Sequence, residues 1–100
     1  MIIKGVMKEE LQNSLRMLKR YRQEYASLPK GSVIVKKIRR QEYDYLVFRE
    51  NGKVVFKYLK NLSDKEKSVY QEAKKKREEY RKLISDLKDE VKFIKRALNG

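Results

Sequence analysis

Glu42-Tyr43-Asp44-Tyr45-Leu46-Val47-Phe48-Arg49-Glu50-Asn51-Gly52-Lys53-Val54-Val55-Phe56-Lys57-Tyr58-Leu59 carries the clearest structural signal in the chain. Two runs rich in β-branched and aromatic residues flank Asn51-Gly52, the preferred pair for a tight two-residue hairpin. That turn sets Glu50 opposite Lys53, Phe48 opposite Val55, Val47 opposite Phe56 and Tyr45 opposite Tyr58. Upstream, Ser32 to Arg39 has the same composition, and a reversal at Arg40-Gln41 predicts Arg39 opposite Glu42, Ile38 opposite Tyr43 and Lys37 opposite Asp44. This second turn has weaker chemistry, because neither residue favours positive φ; a four-residue loop would keep the same pairing. In this register three opposite-charge pairs, Lys37–Asp44, Arg39–Glu42 and Glu50–Lys53, fall on one face and support it. The expectation is a three-stranded antiparallel meander over residues 32–60.

Helical periods lie on either side. Leu11, Leu15, Leu18, Tyr21, Tyr25 and Leu28 recur every three or four residues, predicting a helix over 7–28 that Pro29 and Gly31 close. Ser63-Asp64-Lys65-Glu66 reads as a capping box. After it Val69, Tyr70, Ala73, Tyr80, Leu83, Leu87, Val91, Ile94 and Leu98 form a stripe that predicts one long helix over 63–99. Antiparallel pairing of the two helices sets Leu11 near Ile94, Leu18 near Leu87 and Tyr25 near Tyr80, while Val69, Tyr70 and Ala73 cover one side of the sheet. The fold class expected is therefore α+β, in one domain over 1–100: helix, β-meander, long helix pairing back on the first.

Alternation divides the sheet into two faces. One carries Ile34, Lys36, Ile38, Tyr43, Tyr45, Val47, Phe56 and Tyr58. The other carries Val33, Val35, Lys37, Leu46, Phe48, Val55, Lys57 and Leu59. Neither is cleanly polar, so which one faces the long helix stays open. Tyr43, Tyr45 and Tyr58 are either core residues with their hydroxyls at the edge, or an exposed platform for stacking or docking.

Charge narrows the partner class. The chain of 100 residues has 27 Lys plus Arg against 14 Asp plus Glu, a formal net charge of +13. Residues 1–30 carry seven bases and three acids, residues 31–62 eight and three, and residues 63–100 twelve and eight, so no acidic tail offsets the rest. So uncompensated a surface attracts polyanions, and nucleic acid is the first partner to consider. Phosphate contacts are expected from Lys36, Lys37, Arg39, Arg40, Lys53 and Lys57 around the sheet, and from the helical collar Lys74, Lys75, Lys76 and Arg77. The collar also reads as a solvated helix surface paired with Glu78 and Glu79.

Catalytic signatures are missing. There is no cysteine and no histidine, which removes thiolate chemistry, the usual base near neutral pH and the commonest metal ligand. Lys30-Gly31-Ser32 inverts the order of a phosphate-binding loop. Asp64-Lys65-Glu66-Lys67 resembles the acidic and lysine elements of a metal-dependent nuclease, but acids at a helix start are explained by the helix dipole. The chain reads as a non-enzyme, with no cofactor and no metal. No apolar run suits a membrane span, the N-terminal Met-Ile-Ile-Lys-Gly-Val does not read as a signal peptide, and the expected location is the cytoplasm, bacterial or that of a phage's host.

At Leu28-Pro29-Lys30-Gly31-Ser32, Glu42-Tyr43-Asp44-Tyr45-Leu46 and Arg49-Glu50-Asn51-Gly52-Lys53-Val54, the chain resembles a group of short bacterial and mobile-element proteins of unknown function. These look like an N-terminal helix, a Leu-Pro-x-Gly-Ser joint, a strand reading Tyr-Tyr-Tyr-Leu, a Gly-Lys hairpin ending near Lys57-Tyr58-Leu59, and a long charged helix. Similar Tyr-rich hairpins occur near the N-termini of some transposases. This chain departs from the pattern at Asp44, where a third Tyr is usual. It also lacks the cysteines some members carry between the first two strands, so a zinc role is not carried over. The resemblance implies a phage or mobile-element setting and supplies no activity.

Three functional readings follow. One is a basic module that binds the RNA or DNA backbone, or a nucleoprotein. Another is a protein-docking inhibitor of a host nucleic-acid machine, anti-CRISPR-like, acting through an exposed sheet face or strand edges. The third is a coiled-coil adaptor that forms a homodimer along the long helix. Binding to a membrane surface is disfavoured, because the apolar stripe is narrow and is needed for the helical seam.

Overall fold

In the computed structural model, which describes residues 3–60 and 62–99, the order is α1 (Ile3–Ser27), β1 (Ser32–Ile38), β2 (Gln41–Glu50), β3 (Lys53–Leu59) and α2 (Asp64–Asn99). The strands form one antiparallel sheet in the order β1-β2-β3. This is the helix–meander–helix expected. The chain divides into two compact units, one of α1 with α2 from Arg77 onward, the other of residues 28–76.

In the first unit the two helices pack antiparallel along the predicted stripes. Leu18, Leu87, Val91 and Ile94 are buried, and Ser14, whose small side chain admits close helix approach, is buried beside them. At the end of the seam nearest the α1 C-terminus, the Tyr21 and Tyr80 rings stand 5.8 Å apart. Arg81 Nε donates to the Tyr25 hydroxyl at 3.1 Å, so Tyr25 meets the neighbour of its expected partner Tyr80. Leu15 and Leu83, counted in the stripes, are each 42% exposed and lie at its margins. The first helix begins four residues before the expected Met7, because Ile3-Lys4-Gly5-Val6 contains no capping side chain or proline to stop it.

The second unit is the sheet with the first turns of α2. Ser63 caps α2: its Oγ accepts the Glu66 N–H at 3.2 Å and donates to Glu66 Oε1, also at 3.2 Å. Gly31 has φ +98°, and a Cβ there would come within 2.9 Å of both Leu46 Cδ1 and the Val47 carbonyl oxygen. A glycine is thus required twice over at the joint, for its backbone conformation and for the approach of β2.

The β2–β3 register is the one predicted, with Tyr45 opposite Tyr58 and Glu50 opposite Lys53. The β1–β2 register is not. The turn is Arg39-Arg40, with Ile38 opposite Gln41, Lys37 opposite Glu42 and Lys36 opposite Tyr43. Both arginines take positive φ, 51° and 69°, the backbone that a two-residue hairpin demands. The three-pair charge ladder that favoured a turn at Arg40-Gln41 is therefore incomplete. Lys37 faces Glu42 rather than Asp44, and Arg39 sits in the turn. Such pairs contribute only about 0.2–1 kcal/mol each, so other contacts can override them. Asp44 instead accepts an ion pair from Lys67 of α2 at 3.2 Å. The displacement is two residues, so every side chain keeps its predicted face.

Candidate nucleic-acid interface

The Asp44–Lys67 ion pair identifies which side of the sheet α2 covers. Leu59, on the same face as Asp44, lines a cleft with Leu62, Glu66, Val69 and Tyr70. In the helix Tyr70 is half-buried and Ala73 buried, as expected of residues laid on a sheet, whereas Val69 is 51% exposed. The opposite face is the open one. It presents Ile38, Phe56 and Tyr58 with nearly half of each residue's surface exposed.

On this open face the rings form one cluster. Tyr58 lies between Tyr43 and Tyr45, with ring centres 5.8 and 5.6 Å away, in edge-to-face and tilted arrangements. The Tyr43 hydroxyl donates to Gln41 Oε1 at 2.8 Å, which fixes its orientation. Ile38, Tyr43, Tyr45 and Tyr58 line a shallow cleft of about 230 Å³. Beside it, the Lys36 ammonium stands 4.1 Å from the centre of the Phe56 ring and 5.1 Å from that of Tyr45. A cation so placed is held by the ring quadrupoles, worth about 0.5–1 kcal/mol at an exposed site.

The register also sorts the charges. All three sheet carboxylates, Glu42, Asp44 and Glu50, fall on the helix-covered face, together with Lys37, Lys53 and Lys57. The tyrosine face carries Lys36 and Arg49 and no carboxylate, and its Ile38 runs directly into the Arg39-Arg40 turn. One face is balanced; the other is cationic and aromatic.

Of the residues singled out from the sequence, the structure brings together Lys36, Tyr43, Tyr45 and Tyr58, with Arg39 and Arg40 at the adjoining hairpin tip. It sets Lys37, Lys53 and Lys57 on the other face. Lys74, Lys75 and Lys76 are exposed on α2, with no ion pair to Glu78 or Glu79 among the described residues. Arg77 parts company with the collar. It is 9% exposed and has partners within the protein, so its guanidinium is not presented to solvent with the three lysines. Its spacing carried the signal, since it stands four residues after Ala73 and three before Tyr80, on the apolar stripe itself. Phe56 and Arg49 are the additions. Both alternate onto the tyrosine face, but the Phe56 ring gains its role only through Lys36, whose position depends on the β1–β2 register.

Among the described residues no helix is long and apolar enough to cross a membrane. No curated protein and no solved structure matches the chain. A domain of unknown function, DUF6788, matches residues 6–68, which span most of α1, the whole sheet and the start of α2, and so contain the entire tyrosine face. By that match, which covers well over half its length, the chain belongs to the DUF6788 family.

Proposed function

We propose that this protein is a small non-enzymatic module that binds nucleic acid through its sheet. The observation that carries this reading is the charge sorting: every sheet carboxylate is on the helix-covered face, leaving Lys36 and Arg49 uncompensated beside exposed aromatic rings. Phosphate contacts of this kind give affinity with little sequence preference. The phage or mobile-element setting rests on the resemblance of the Leu28-Pro29-Lys30-Gly31-Ser32 joint and the Tyr-rich hairpin. The test is a salt titration of binding to RNA and DNA. Affinity should fall steeply between about 50 and about 200 mM salt, with a log–log slope of the order of the number of phosphates held. Failure of both RNA and DNA to bind at the lower salt would refute the reading.

A second reading has its own observation. In the order β1-β2-β3 the outer edges of β1 and β3 have no strand neighbour among the described residues. An extended segment of a protein partner could add to either edge, as the docking inhibitor of a host nucleic-acid machine requires. Such a complex would form at fixed stoichiometry and survive added salt, which separates it from the first.

A further inference from the structure

We infer that the tyrosine face takes a single strand rather than a duplex, with unstacked bases against Tyr43, Tyr45 and Tyr58 and the neighbouring phosphates held by Lys36, Arg39 and Arg40. This rests on the nucleic-acid reading above and narrows it from a polyanion to a strand whose bases are free. Ring faces add nothing to binding a duplex, where the bases are already stacked and only phosphates and groove edges are offered. They contribute greatly to binding a single strand, because each base has a π-face to lay on an aromatic side chain. The cleft formed by Ile38, Tyr43, Tyr45 and Tyr58, about 230 Å³, is smaller than the roughly 300–1,000 Å³ pockets that enclose a drug-sized ligand. It is open and lined by three tyrosines and Ile38, so a base can lie against it without being enclosed.

The hairpin tip supplies the second observation. The chain makes one two-residue turn from Asn51-Gly52, with φ 52° and 79°, and the other from Arg39-Arg40, with φ 51° and 69°. Asn-Gly suits this backbone, whereas two arginines are held in it against their preference. Strained residues of this kind persist where the surroundings over-determine them, often at ligand sites. The turn so formed places two exposed, permanently charged residues in the chain directly after Ile38, which lines the aromatic cleft, and before Gln41. Lys36 completes the set. Its ammonium rests on Phe56 and Tyr45, and its flexible stem allows it to leave the rings for a phosphate as a base takes its place.

The experiment is fluorescence anisotropy with labelled oligo-U and oligo-dT of about 12 nucleotides and a duplex of the same length, at about 50 and about 200 mM salt. The single strands should bind at least about tenfold more tightly than the duplex. Tyr45→Leu and Tyr58→Leu should each cost about tenfold on the single strand and leave the duplex unchanged, while Tyr45→Phe and Tyr58→Phe retain binding. Thermal unfolding of each variant confirms that it is folded. The unsubstituted protein gives a readout that needs no variant: it has seven tyrosines and no tryptophan, so bound bases should quench its tyrosine emission. Equal or tighter duplex binding, Leu variants with wild-type affinity, or absence of quenching overturns the single-strand inference, while salt-sensitive binding would leave the broader reading standing. If no oligonucleotide binds, both fall. Displacement of a bound oligonucleotide by polyglutamate, with the peptide retained at the higher salt, would make the occupant an acidic protein and overturn the inference.

Discussion

The Tyr80 hydroxyl donates to Glu24 Oε2 at 2.6 Å across the helical seam, joining residues 56 positions apart. Arg20 Nε donates to the other carboxylate oxygen at 3.0 Å. The Tyr80 hydrogen bond, followed by that from Arg20, holds the Glu24 carboxyl below its ordinary value of 4.5. Its depressed folded value means that the stabilisation is complete above the ordinary carboxylate range and is lost as pH falls through the lower folded value. Glu24→Gln should therefore flatten the acid limb of stability, measured as the unfolding midpoint below about pH 5. Hydrogen bonding to Glu24 also raises Tyr80 above its ordinary value of 10.0. That contribution is present below the ordinary tyrosine range and fades as pH rises through the folded value, so Tyr80→Phe should remove the matching part of the alkaline limb. A Glu24→Gln protein with an unchanged acid limb would contradict this assignment.

Replacing Arg39-Arg40 with Asn-Gly separates stability from function. The turn keeps its left-handed backbone, but Asn and Gly adopt it readily, as at Asn51-Gly52, whereas each arginine there costs roughly 1–2 kcal/mol. Part of that is recovered, so the double variant R39N/R40G should gain about 1 kcal/mol, a rise of roughly 4–8 °C in a domain of this size. Single-strand affinity should fall in the same protein, because two phosphate contacts are gone. A variant that gains stability and loses no affinity would make the turn merely a turn.

The positive-φ glycines should respond differently to alanine. At Gly52 an added Cβ meets nothing within 4 Å, so Gly52→Ala costs only the backbone strain, about 1 kcal/mol. At Gly31 the Cβ would lie 2.9 Å from the Val47 carbonyl oxygen, and a backbone atom cannot swing aside. Gly31→Ala should cost clearly more than Gly52→Ala in chemical denaturation. Equal losses would show that the joint relaxes.

Helix-seam leucines offer a matched pair. Leu87 is 7% exposed and Leu83 is 42% exposed. Leu87→Ala should cost about 2–3 kcal/mol, near the lower end for a buried leucine, and Leu83→Ala under about 1 kcal/mol. Comparable losses at the two positions would mean that Leu83 is covered by a second copy, as the coiled-coil adaptor requires. Sedimentation of the unsubstituted protein at high concentration tests that reading directly.

Local chemistry alone was enough to read Asn51-Gly52 as a turn, Ser63 with Glu66 as a helix start, and the two apolar stripes as a seam. Each of these signals lies within a few residues of chain. The Arg39-Arg40 turn was illegible because arginine has no intrinsic liking for positive φ; the conformation is imposed by pairing along the strands. Counting opposite charges pointed to the wrong β1–β2 register because Asp44 finds its partner outside the sheet, at Lys67. Arg77 was grouped with the lysines because composition registers a run of charge, whereas burial follows the helix phase.

The order and type of the elements, the β2–β3 register, the membership of each sheet face and the surplus of positive charge are all legible in the chain, since they follow from period, turn chemistry and composition. Which face is open is set by packing. Both faces carry apolar and cationic residues in similar measure, so alternation could not rank them. The choice was made by α2, which draws Asp44 to Lys67 and leaves Tyr43, Tyr45, Tyr58 and Phe56 with Lys36 on the uncovered side.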